Sequence, residues 1–193
     1  MTSVAIARPS IRPFARVIAY SGALLYLVFL AAVHVAQPHM IHESTISKYA
    51  LGHQGWLIQA AFVAAGAGFA GVARLQHGWT ARALWLAVAA FVVMGIFKID
   101  SVGPNKIATV HGAFHTIAFF VVVLAVHPVM FAVRRRTAST SLRTIPLIAP
   151  LLVLSGFVIP GLLGAILFRA WTLSLVAWVI RAAGVSEWKE SPG

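Results

Sequence analysis

The chain has 193 residues, 60% of them hydrophobic and only 10% charged, and its mean hydropathy is +0.90. Soluble domains are about a quarter charged and under half apolar, so a soluble enzyme, a disordered chain and a fibrous repeat are excluded. The net charge of +11, from 15 Lys and Arg against 4 Asp and Glu, reads as basic flanks of membrane spans that set topology and meet anionic headgroups. No nucleic-acid partner is expected, because the one basic cluster, Arg134-Arg135-Arg136, lies between two apolar stretches.

Residues 1–16 carry Arg8, Arg12 and Arg16 and read as a basic cytoplasmic segment. The apolar run 17–36 is long enough for a span, which needs about 20 residues. It exceeds a signal-peptide core and lacks a clean small-x-small cleavage site, so it reads as a retained first helix. Five more apolar stretches follow at about 55–72, 83–97, 108–133, 145–163 and 165–180, separated by turn and charge signals. The last two are expected to join near Phe168 and Arg169, and Pro146, Pro150 and Pro160 to kink the fifth. The expected fold is all-α: a polytopic six-helix bundle over 17–182, with a short polar tail at 183–193. Cysteine is absent, which rules out disulfides, thiolate metal sites and cysteine nucleophiles.

Orientation follows from the basic residues. With the N-terminus inside, Arg8, Arg12, Arg16, Arg74, Arg82, Arg134, Arg135, Arg136, Arg143, Arg181 and Lys189 are inner. Lys48, Lys98, Lys106 and Arg169 are outer, so the bias is 11 against 4. Both termini are therefore expected in the cytoplasm. Six spans and their loops leave no room for a second domain.

Gly66, Gly68 and Gly71 match a Gly-x-Gly-x-x-Gly pattern. The pattern lies inside an apolar helix rather than after a strand, so it reads as a small-residue face for close helix packing. Polar chemistry concentrates at the outer end: His34, His39, His42, Glu43, Ser44, Ser47, His53, Asp100, His111 and His115, with His77 and His127 nearer the inner side. His111 and His115 are four apart and share a helix face. That spacing suits a zinc site completed by a third histidine such as His42 and a carboxylate such as Asp100. The competing reading is a hydrogen-bonded cluster with Ser44 and Ser47. A buried Asp100 needs a partner, and His111 is the expected one. Six tryptophans near span ends read as interfacial belts.

Ser44-Thr45-Ile46-Ser47-Lys48-Tyr49-Ala50-Leu51-Gly52 with Gly55-Trp56-Leu57 and Phe62 resembles the first-loop signature of a bacterial and archaeal membrane family, the domain-of-unknown-function family number 998. Gly95-Ile96-Phe97 before Asp100, and Val110-His111-Gly112 before His115, are similar to its helix 3 exit and helix 4 approach. The resemblance covers about residues 17–182 and implies six helices in a cell membrane, with no activity attached. Lys48 and Lys98 depart from the family's usual acid and proline, and they favour an anionic ligand over a dication.

The leading functional expectation is an integral membrane protein with an outward-facing His/Asp/Ser pocket for a lipid headgroup or small ligand. Its lining, and the catalytic candidates if there is catalysis, are Ser44, Ser47, Asp100, His111 and His115. No cofactor is expected under this reading. The alternative is a zinc-dependent intramembrane lipid hydrolase of ceramidase-like type, with His111, His115, Asp100 and His42 as metal candidates. Haem binding between His34 and His115, or transport of a small solute, are further alternatives. Membrane lipids are the expected partners, and nothing in the sequence points to a protein partner.

Overall fold

The computed structural model describes residues 12–43, 45–101 and 109–185. All regular structure among them is helical. The six long helices are α1 (Arg12–Ala36), α2 (Gly55–Ala73), α3 (Gly78–Ile96), α4 (Val110–Arg135), α5 (Thr140–Val158) and α6 (Gly161–Gly184). Two short 3₁₀ helices, Pro38–His42 and Ile46–Leu51, lie between α1 and α2. Each long helix has the length and hydropathy of a membrane span. The expected six spans are all present, and several begin up to a turn and a half earlier than hydropathy alone marks.

Neighbours in sequence pack side by side, α6 closes the ring against α1, and α2 also touches α6. α2 is the most enclosed span. Its glycine face explains why. A Cβ on Gly71 would meet the backbone of Ala15 and Ala19, and one on Gly22 would meet the backbone of Ala64 and Gly68. Small residues on both helices let the two backbones approach, which is how helices associate where water supplies no driving force. The packing reading of Gly66, Gly68 and Gly71 therefore fits the geometry, and Gly66 faces Phe91 of α3.

Two expectations are corrected. α5 and α6 join at Ile159 and Pro160, not near Phe168 and Arg169. Arg169 is the ninth residue of α6, so a charge lies inside that helix. Tryptophans divide: Trp56, Trp79 and Trp85 are exposed, whereas Trp171 and Trp178 belong to the core. α6 is apolar on every side, and such a helix gives no sequence signal for which face is buried. At the bundle end where α1 begins and α6 ends, Arg16 donates to the carbonyl of Val185, the C-cap of α6, at 3.1 Å. A cation there satisfies a carbonyl left open by the helix end and complements its dipole.

Candidate functional site

The ends of α1, α3 and α5 and the starts of α2, α4 and α6 lie at the opposite end of the bundle. Three polar arrangements lie there. The first is a helix cap. Thr109 precedes α4 and its hydroxyl accepts from the Gly112 N–H at 3.1 Å. Its own N–H donates to Asp100 Oδ2 at 2.7 Å and its hydroxyl to Oδ1 at 2.6 Å. A Cβ on Gly112 would run into that carboxylate, so glycine is required for it to sit against the start of α4. The two Thr109 donors hold the Asp100 carboxyl below the usual carboxylate range, with His111 adding a smaller favourable charge. Thr109, not His111, is thus the hydrogen-bond partner of Asp100.

This cap predicts an acid response. A carboxyl with a depressed folded-state pKa contributes stability above its unfolded pKa of about 4, and loses it as pH falls through the lower folded value. Asp100→Asn should melt lower than the wild type at neutral pH, and that gap should close as the wild type is acidified. Melts across pH 2–7 check this, and a gap independent of pH would refute it.

The second arrangement is built on Arg169. Its Nε donates to His34 Nε2 at 2.9 Å, and its Nη2 donates to the Tyr49 hydroxyl at 3.3 Å. Nη1 reaches the carbonyls of Ala165 at 2.9 Å and Glu43 at 3.3 Å. His34 Nδ1 lies 2.7 Å from the Leu30 carbonyl. The proton therefore sits on Nδ1, and Nε2 is free to accept. Arg169 thereby ties α1, both 3₁₀ helices and α6 together. The Glu43 carboxylate is engaged elsewhere, in an ion pair with Lys48 at 2.7 Å. Sequence reasoning missed this group, because an arginine in an apolar run reads as a break between spans.

The third arrangement joins the first loop to α4. Ser47 and His115 are both buried. His115 Nδ1 lies 2.7 Å from the Phe97 carbonyl, and its Nε2 lies 2.9 Å from Ser47 Oγ. A carbonyl can only accept, so Nδ1 carries the proton, and Nε2 accepts from the serine hydroxyl. The Phe62 ring meets the imidazole edge-to-face at 5.7 Å. Ser47 also lies where two cavities meet. One, of about 40 Å³, runs into the bundle centre. The other, of about 120 Å³, lies between α4, α5 and α6, with Thr45, Ile99, His115 and Thr116 beside Ser47 in its lining. Phe119 and Phe168 line both. Phe120 and Phe157 line the larger cleft and are about half exposed, 53% and 52%, on the outer surface of the bundle.

The other candidates are dispersed. His42 and His39 are exposed on the first 3₁₀ helix, and His53 is exposed before α2. His111 is exposed with its ring against Phe97 at 5.5 Å. Ser44 lies outside the described residues. No three His, Asp or Glu among the described residues gather as a metal-binding group. Both nitrogens of His115, and both of His34, are engaged by protein groups. The zinc set His111, His115, Asp100 and His42 and the His34–His115 haem pair therefore gain no support from the geometry. His127, deeper in α4, stacks on Trp171 and accepts from its indole N–H at 3.3 Å, a core contact.

The family described as a protein of unknown function (DUF998) matches residues 20–185. No curated protein and no solved structure matches the chain.

Proposed function

The chain belongs to the DUF998 family, whose description carries no activity, and we propose that it binds an acyl lipid taken sideways from the cytoplasmic membrane. The observation that carries this reading is the cleft between α4, α5 and α6. Its mouth is aromatic and half exposed at Phe120 and Phe157, and its inner end is polar at Ser47 and His115. An amphiphile needs that order of surfaces. A slot of about 120 Å³ takes only part of an acyl chain, and the rest stays in the membrane. Pockets that bury most of a ligand are larger, about 300–1,000 Å³. The lipid's polar head then stays near the loops, where Lys98 and Arg169 supply positive charge and Lys48 is paired with Glu43.

Protein purified in mild detergent should retain a stoichiometric acyl lipid, measured by extraction and mass spectrometry. Thr116 lines the cleft and is exposed, so Thr116→Trp fills it without disturbing the core. Retained lipid should fall about tenfold, equivalent to about 1.4 kcal/mol of affinity. Equal retention by both proteins would end the reading.

The pocket is proposed to face outward, with both termini cytoplasmic. The basic-residue asymmetry supports this, and it sharpens once Arg169 is assigned to a helix interior. The chain has no cysteine, so single cysteines report cleanly. In intact cells His53→Cys should react with an impermeant thiol reagent, and Ala138→Cys should not. The reverse pattern would invert the topology.

A further inference from the structure

We infer that Ser47 and His115 form a nucleophile–base pair that cleaves acyl esters, an activity that rests on the lipid-binding reading above. The hydroxyl and Nε2 are within hydrogen-bond reach at 2.9 Å, the geometry that activates a serine. The imidazole is oriented by a third group, the Phe97 carbonyl, at 2.7 Å. Phe97 is the C-cap of α3. That carbonyl fixes the tautomer, with the proton on Nδ1 and Nε2 turned to Ser47.

Two further observations point to a ligand at this pair. Ser47 is buried, yet it lines both cavities. Beside it on the larger cleft, the hydroxyl of Thr45 is shielded and finds no hydrogen-bond partner. A buried hydroxyl without a partner is costly, and beside Ser47 it would serve as a donor to the oxyanion that develops in acyl transfer. Depth also fits. α4 has 26 residues and spans about 39 Å against a hydrocarbon core of about 30 Å. His115 lies five residues in, so the pair stands close to the hydrocarbon boundary. The ester carbonyls of a glycerolipid lie at that depth when its chains occupy the membrane.

The reaction balances with water as the second substrate. Ser47 Oγ attacks the acyl carbonyl carbon, and its proton passes to His115 Nε2. The ester C–O bond breaks, and the departing alkoxide takes that proton to leave as the alcohol. Water then attacks the acyl-serine carbonyl carbon and gives a proton to His115. The bond to Ser47 breaks, and His115 returns the proton to Oγ. A free fatty acid and a deacylated lipid are the products.

The test uses the full chain in lipid nanodiscs, exposed to a fluorophosphonate probe that reacts with activated serines, with bound lipid quantified on the same samples. The wild type should be labelled at Ser47 and should release fatty acid from a diacylglycerophospholipid. Ser47→Ala should abolish both. His115→Gln keeps a hydrogen-bonding side chain but no base, and should slow labelling about a hundredfold. Should His115→Gln not accumulate, Ser47→Ala carries the test alone, since it removes only the hydroxyl. Wild type that retains lipid but neither labels nor hydrolyses overturns the catalytic inference and leaves the lipid-binding reading standing. Labelling that is equal in wild type and His115→Gln also overturns it. Labelling at Ser47 with no retained lipid supports the pair and rejects the lipid pocket.

Discussion

Gly71→Leu is expected to prevent the protein from accumulating in a folded form, and Gly71→Ala to destabilise it measurably. The alanine variant is the sharper test because two effects oppose each other. In a helix interior alanine is favoured over glycine by about 0.5–1 kcal/mol. Here the added methyl would meet the backbone of Ala15 and Ala19, and backbone has no rotamer by which to withdraw. The helices must then separate along a contact that α1 and α2 share from Ala15 to Gly22. Overpacking of this kind costs about 1–3 kcal/mol, so the clash outweighs the propensity gain. Leucine adds three more heavy atoms to the same gap. Ala177→Leu, on an exposed face of α6, is the control and should be tolerated. Detergent melts followed by size-exclusion chromatography measure all three. Gly71→Ala at or above the wild-type melting temperature would show that α1 and α2 do not rely on this approach.

The sequence made this contact half legible. The small residues of α2 stand out in an apolar run, whereas their partners in α1, Ala15, Ala19 and Gly22, are ordinary residues until the helices are brought together. Span number was legible for a similar reason: the bilayer imposes a length, and six runs meet it. The α5–α6 turn was not legible. Hydropathy breaks at Arg169, and Ile159-Pro160 carries almost no polar signal. Within the candidate site the residue types were evident, but the groupings were not. His111 and His115 share a helix face, yet His111 points to the surface and His115 into the core. The partner of His115 is Ser47, 68 positions away, and no local spacing encodes that. Asp100 looked like a site acid because carboxylates are rare here. Its work is to cap α4 through Thr109, a role marked in sequence only by a threonine before an apolar run.

Arg169 supports the second large expectation. Replacing it with methionine should destabilise the protein and release the first loop. A charge at mid-helix in a membrane costs about 2.5–3.5 kcal/mol on insertion scales. That is an upper bound here, because the side chain is only partly buried. Against it stand hydrogen bonds to His34, Ala165, Glu43 and Tyr49, and bonds from a charged donor contribute about 1.5–3 kcal/mol each. The two at 3.3 Å fall at the low end or below, yet the total still exceeds the desolvation cost. Methionine removes both sides of this balance and leaves His34 Nε2 with no donor, for a net loss of about 1–3 kcal/mol. Lysine keeps the charge and most of its desolvation cost but has no planar fork to reach α1 and the loop at once. Arg169→Lys should therefore lose nearly as much as Arg169→Met. Trypsin reports the loop directly: Lys48 lies in the second 3₁₀ helix, next to Tyr49, and cleavage after it should accelerate in both variants. If lysine restores the wild-type melting temperature and protects Lys48, the site needs only a positive charge, and the fork from α6 is not what holds the loop.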